Sequence, residues 1–167
     1  PHRHDLSWRV MRKKEKLMKG HRIQMVAVSN WLAEQARRST VTKYQNISVI
    51  PNALSLSHFH LLSRSDSREM LALPDRKIIV FGAARIDAPI KGIDYLLEAL
   101  NLLIERKAYR REDLFLVLFG GLKDESLKQQ IPVDFSYLGF VKDEDDLSAV
   151  YSASNVVVSS SLYETFG

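Results

Sequence analysis

Two cations six residues apart, Arg85 and Lys91, lie in the run Phe81-Gly82-Ala83-Ala84-Arg85…Lys91-Gly92. An apolar strand ends near Gly82, a loop carries both charges, and a helix begins at Lys91-Gly92. A helix N-terminus presents free N–H groups and the positive end of its dipole, which suits a phosphate. Arginine adds a planar fork and lysine a point charge, so the pair can neutralise a diphosphate without a metal. The competing reading is that both are ordinary solvated loop residues. The segment is neither a Walker A loop nor a Gly-x-Gly-x-x-Gly fingerprint, and neither pattern occurs anywhere in the chain.

The second constellation is Ser159-Ser160-Ser161-Leu162-Tyr163-Glu164-Thr165-Phe166-Gly167. A buried strand runs into a polar loop with one carboxylate. Glu164 could accept hydrogen bonds from ligand hydroxyls, while Thr165, Phe166 and Gly167 could offer backbone N–H groups. Alternatively Glu164 is a capping residue. His2-x-His4 has no carboxylate or cysteine partner in a metal-binding order. The acids Asp143 to Asp146 are explained by the dipole of a helix that starts there.

The elements that must position these residues follow from hydrophobic period. A basic helix is predicted over 5–19, capped by Asp5 or Ser7. A short buried strand follows over 22–29, then a helix over 31–38 capped by Ser29 or Asn30, and a strand over 47–50 broken by Pro51-Asn52. Residues 52–76 read as a connector with one short helix capped by Ser65 or Ser67. From Lys77 strands and helices alternate: strand 77–83, helix 92–107, strand 114–121, short helix 124–130, strand 135–141, helix 143–151 and strand 155–161. Strands apolar on both sides, alternating with helices, predict an α/β fold with a parallel sheet covered by helices on both faces. Ligands in such sheets bind at the carboxyl ends of the strands. Gly82, Gly120-Gly121, Gly139-Phe140-Val141 and Ser159-Ser160 fall there, and the glycines allow close approach to the backbone.

The chain has 167 residues and no cysteine, which excludes a disulfide framework and a thiolate nucleophile. No apolar run reaches the ~18 residues of a membrane span, and the basic first 20 residues lack the apolar core of a signal peptide. The net charge of +4 conceals a split: residues 1–45 hold 11 Lys and Arg against 3 Asp and Glu, and the rest hold 13 against 17. The basic segment Arg9–Arg22 could meet an anionic membrane, or be a solvated helix packed on a neighbouring domain. It has no aromatic interleaving beyond Trp8 and no RNA-binding motif, so a nucleic-acid partner is not expected. The first residue is Pro rather than Met, and the natural N-terminus is expected to lie upstream.

Several segments in order resemble glycosyltransferase family 4, the retaining group 1 transferases of GT-B fold. Val28-Ser29-Asn30-Trp31-Leu32 looks like the family's Val-Ser-x-Trp-Leu, and Ile50-Pro51-Asn52 like its interlobe connector. Arg85…Lys91-Gly92 looks like its diphosphate pair. Tyr137-Leu138-Gly139-Phe140-Val141 and Tyr151-x-x-Ser154-Asn155-Val156 match its next two signposts. Glu164-Thr165-Phe166-Gly167 looks like the first half of its Glu-x7-Glu motif. Asp5-Leu6-Ser7-Trp8 followed by Lys and Arg also resembles a bacterial subgroup that builds surface polysaccharides. The sequence departs from the family at Ala53-Leu54-Ser55, where Gly-Val-Asp is usual, and in the distance from Gly82 to Arg85.

The resemblance implies two Rossmann-like lobes facing across a cleft. Residues 1–50 would be the tail of the N-terminal acceptor lobe, 51–76 the connector and 77–167 an incomplete C-terminal donor lobe. It implies Lys91, Arg85 and Glu164 as catalytic residues. Gly82, Gly139, Phe140, Val141, Thr165, Phe166 and Gly167 would bind a nucleotide-diphosphate sugar, with no metal and no cofactor. The acceptor would be a saccharide or lipid-linked, and the enzyme cytoplasmic or peripheral to the inner membrane. The 167 residues alone are expected not to transfer sugar, with the second Glu of the motif falling after Gly167. Two other readings stand beside this one: a nucleotide-sugar epimerase on the same fold, and a non-catalytic lobe that binds a nucleotide or a partner.

Overall fold

The computed structural model describes residues 5–165; His2, His4, Phe166 and Gly167 lie outside them. Contacts divide the chain into two compact units, one reaching Ala53 and including Glu164 and Thr165, the other Leu54–Tyr163.

The first unit opens with α1, Leu6–Met18, where the Asp5 carboxylate accepts from Trp8 N–H at 2.7 Å as N-cap. Strand β1, Gln24–Ala27, pairs in parallel with β2, Asn46–Val49, in the register Gln24↔Asn46 to Ala27↔Val49. Between them α2, Asn30–Arg38, is capped by the Ser29 hydroxyl, which accepts from Leu32 N–H. Ala27, Ala33 and Ile47 form a small buried core, enough to seat α2 on two strands.

In the second unit the sheet order is β5-β4-β3-β6, all parallel. Here β3 is Lys77–Arg85, β4 Leu114–Gly121, β5 Asp134–Tyr137 and β6 Val156–Val157. Period-2 alternation sends Ile78, Val80 and Val117 to one face and Phe81, Leu114, Leu116 and Leu118 to the other. Helix α4, Ile93–Glu105, covers the second face with Ile93, Leu96, Leu97 and Leu100. Val150 of α5, Glu144–Ala153, packs on the first, and α3, Arg64–Met70, packs against α5. The predicted Rossmann-like α/β layers, with helices on both faces, are therefore present. Each fully buried aliphatic side chain, such as Ile78 or Leu116, contributes about 1.5–3 kcal/mol. Among the described residues β6 pairs only with β3, and Val156 and Val157 are half exposed. No helix among them is long and apolar enough to cross a membrane.

Several boundaries differ from the expectation for local reasons. Strand β3 continues to Arg85 through an irregularity between Ala83 and Arg85, because Gly121 still pairs with Arg85. Strand β5 stops at Tyr137 rather than 141, since Gly139 turns the chain at φ 67°. Helix α4 ends at Glu105, and Lys107 sits at φ 55°, outside the helical region. The cap of α3 is Ser63, not Ser65 or Ser67; Ser67 is buried and its hydroxyl donates back to the Ser63 carbonyl at 2.7 Å. The stretch read as connector thus supplies α3 to the second unit.

Candidate functional site

Strands β3, β4 and β5 run outward in one direction from β3, while β6 lies on its other side. The sheet's order reverses at the β3–β6 boundary, and open α/β sheets form their ligand crevice at the carboxyl end of such a boundary. Two loops meet there. After β3, a 3-10 turn over Pro89–Lys91 leads to Gly92, the N-cap of α4 at φ 65°. After β6, the Ser160 hydroxyl donates to the Gly92 carbonyl at 2.7 Å and lies 3.2 Å from that of Lys91. Leu162 N–H donates to the Ile90 carbonyl at 2.8 Å. The turn that carries Lys91 is thus fixed by the segment after β6. Gly92 has no room for a side chain: a Cβ there would overlap the Ser160 carbonyl oxygen.

Arg85 is the last residue of β3, and its side chain is 47% exposed. Its Nε lies 3.4 Å from Asp87 Oδ1. The other oxygen of Asp87 accepts from the backbone N–H of Lys123 at 3.1 Å and of Asp124 at 3.0 Å. Asp87 therefore ties the loop after β4 to the end of β3 and gives Arg85 a fixed neighbour. Burial works to raise the Asp87 carboxyl, but the Asp124 and Lys123 N–H groups, with Arg85 beside it, outweigh burial and hold it below the ordinary carboxylate range. Sequence reasoning misses Asp87. Its signal was there: Ile86, fully buried between Arg85 and Asp87, forces both charges to the same side of the chain.

Because the folded-state carboxyl is the more acidic one, its contribution is present above the unfolded pKa of about 3.9 and is lost as pH falls through the lower folded value. Two hydrogen bonds to a charged acceptor predict that Asp87→Ala costs about 2–3 kcal/mol in urea unfolding at neutral pH. The gap between wild type and variant should narrow below about pH 4. A gap that stays constant to pH 2 would assign the loss to packing instead.

The remaining sequence-selected residues fall in three places. Gly82 pairs with Phe119, and the Phe119 ring fills the space where a side chain would point, so packing by itself calls for the missing Cβ. Gly139, Phe140 and Val141 follow β5, held to β4 by Gly120 N–H donating to the Gly139 carbonyl at 2.6 Å, and Phe140 is exposed. Glu164 and Thr165 belong to the first unit, where the Ser29 hydroxyl donates to the Thr165 carbonyl at 2.7 Å.

The family model described as glycosyl transferases group 1 matches residues 63–167. The chain belongs to this family. The matched span of this group 1 glycosyltransferase chain covers every element from α3 onward, including the Lys91 turn and its serine partner. An uncharacterized glycosyltransferase of Methanocaldococcus jannaschii is 31% identical over 153 residues, covering 86% of this chain and 38% of its own. Sucrose-phosphate synthase from Thermosynechococcus elongatus superposes with a TM-score of 0.73 at 26% identity, over all of this chain and 42% of that one. HepE of Anabaena, solved with UDP and glucose, is similar in fold at a TM-score of 0.67 and 19% identity, over 94% of this chain and 43% of that one. This chain thus spans about two-fifths of the length of these relatives. Two units, each with its own parallel sheet, fit a piece of the GT-B architecture. The family match does not favour the epimerase reading.

Proposed function

We propose that the full protein transfers a sugar from a nucleotide-diphosphate-sugar donor to a saccharide or lipid-linked acceptor. On this reading it acts with retention at the anomeric carbon, as in glycosyltransferase family 4, and serves bacterial polysaccharide synthesis from the cytoplasmic side. The observation that carries the proposal is the pinned turn at the sheet's reversal point: Lys91 beside Gly92, with the Gly92 carbonyl held by the Ser160 hydroxyl and the Ile90 carbonyl by Leu162 N–H. Negative charge builds on the diphosphate as the glycosidic bond breaks. A cation already fixed there stabilises the transition state more than the ground state and loses little in reorganising. Lys91 and Arg85 take that role, with no metal and no cofactor besides the donor. Gly139, Phe140 and Val141 lie against the base. Glu164 and the Thr165 backbone hold the donor sugar, joined by Phe166 and Gly167. Residues 77–167 then form the front of the donor lobe, 1–50 the tail of the acceptor lobe, and 51–76 the link. Transfer needs both lobes, so these 167 residues alone do not turn over.

Titration of UDP, GDP and ADP into the full gene product by calorimetry, without metal, tests the proposal. HepE's UDP makes it the first nucleotide to try. Lys91→Ala should cost at least about 1.5 kcal/mol of binding free energy, the loss of a charged hydrogen bond. Binding by none of the three, or no change with Lys91→Ala, would remove the donor-site reading.

A further inference from the structure

Arg85 is held at one end of its guanidinium. Its Nε meets Asp87 Oδ1, and among the described residues neither Nη group makes a hydrogen bond. Asp87 Oδ1 is itself buried and accepts no hydrogen bond among them. A buried carboxylate oxygen in that state costs stability unless a cation answers it, and the cation here is Arg85. The backbone around the pair is fixed. Ile86 is fully buried, and its N–H donates to the Gly121 carbonyl at 2.9 Å. Asp87 Oδ2 is taken by the Lys123 and Asp124 N–H groups, so the carboxylate cannot turn away. The Nε end of Arg85 is therefore anchored. Its Nη edge, the part of the fork that grips two phosphate oxygens at once, is left for a ligand.

We propose that Asp87 is a positioning residue for the transfer, aiming the Nη edge of Arg85 at the diphosphate of the donor. This rests on the reading of Arg85 as a diphosphate cation. Asp87 has two opposed effects there. Its negative charge repels a diphosphate. Its hold on Arg85 favours binding, because a long side chain already fixed in place loses less rotamer freedom when a ligand arrives. The second effect is the larger. The carboxylate is only 11% exposed, and its charge is answered by Arg85 and two N–H groups, so little of its field reaches past the guanidinium. Asp87→Asn separates the two effects with little change of shape. The oxygen of the asparagine keeps the Lys123 and Asp124 N–H bonds, and its amide NH2 then stands where Asp87 Oδ1 stood. That puts donor against donor at Arg85 Nε, and the anchor is lost.

The test is calorimetric titration of UDP, GDP and ADP into the full gene product as wild type, Asp87→Asn, Arg85→Ala and the double variant. For the nucleotide that wild type binds most tightly, Arg85→Ala should weaken affinity at least about tenfold, the loss of a charged hydrogen bond. Asp87→Asn should weaken it about three- to tenfold, the coupling expected of residues in contact. In the Arg85→Ala background the same change should alter affinity by less than about twofold, because Asp87 then has nothing to aim. An equal loss in both backgrounds would make Asp87 a structural support of the loop and overturn the proposal. So would tighter binding by Asp87→Asn, since the carboxylate would then act by repulsion alone. Arg85→Lys gives a second reading that leaves Asp87 in place. It keeps the charge without the fork and should weaken binding at least about threefold, whereas binding equal to wild type would show that aim is irrelevant. If Arg85→Ala binds like wild type while Lys91→Ala does not, the donor site stands and the role of Asp87 falls. If wild type binds none of the three nucleotides, the donor-site reading falls and takes this inference with it.

Discussion

Replacing Gly92 by alanine is expected to destabilise the second unit by about 3 kcal/mol and to remove measurable nucleotide binding from the full protein. Two costs combine. An L-residue at φ 65° sits in the left-handed region, at about 1–2 kcal/mol. The added methyl also overlaps the Ser160 carbonyl oxygen, which is backbone and cannot rotate away. Overpacking of that kind costs a further ~1–3 kcal/mol. The strain can be relieved only by separating the Lys91 turn from the segment after β6, which dismantles the cation's support. Gly20→Ala is the control, since nothing lies within 4 Å of a Cβ there. It should change stability by less than about 0.5 kcal/mol. If Gly92→Ala unfolds like wild type, the turn is softer than its geometry implies and the positioning argument for Lys91 goes with it.

Arg68→Ala should be nearly as costly, at about 3 kcal/mol, and far from the candidate site. The guanidinium is 12% exposed. Its Nε donates to the Ala153 carbonyl at 3.0 Å at the end of α5, and its fork donates to Asn155 Oδ1 at 2.8 Å. That same oxygen accepts from Ile78 N–H at 2.8 Å, and Asn155 N–H donates to the Ile78 carbonyl. One side chain on α3 thus fixes the end of α5 and the starts of β3 and β6. Its third partner, Asp75, is fully exposed and adds little. Removal leaves a partly buried carbonyl unsatisfied, which costs about 1–3 kcal/mol by itself. In thermal unfolding the expected fall is about 6–12 °C, at roughly 2–4 °C per kcal/mol. Arg68→Lys should recover only a minority of it, because a single ammonium cannot span two acceptors in that geometry. Full recovery by lysine would mean that charge, not the fork, does the holding.

These two cases mark what the sequence could and could not reveal. The elements were legible because β3 and β4 are apolar on both sides and α4 repeats Ile93, Leu96, Leu97 and Leu100, patterns that need only neighbours in sequence. The place of Arg85 and Lys91 was legible for the same reason, since each follows the end of a readable strand. Ser160 with Gly92, Asp87 with Lys123 and Arg68 with Asn155 join residues 68, 36 and 87 positions apart. No periodicity reports such pairs. In the sequence Asn155 stands only as part of a family signpost; the structure gives it a reason, as an acceptor shared by two donors. Gly82 shows the same limit from another side: its neighbour across the ladder, Phe119, fills the space where a side chain would point, a reason for glycine that local sequence does not report.

The outer edge of β6 has a consequence for how the chain behaves in the tube. Beside its half-exposed valines lies an apolar groove of about 480 Å³, floored by Ile79, Leu96, Leu100, Leu103 and Val158. Among the described residues that edge is unpaired, and an unpaired parallel edge beside an apolar trough is a template for any extended strand, including one from a second copy. Protein sheets usually guard such edges with lysine, proline or a bulge, and Val156-Val157 has none of these. Self-association through that edge would make the monodispersity of the isolated 167 residues depend on concentration. A charged residue at Val156 is the change that would make them easier to handle without touching the Lys91 turn.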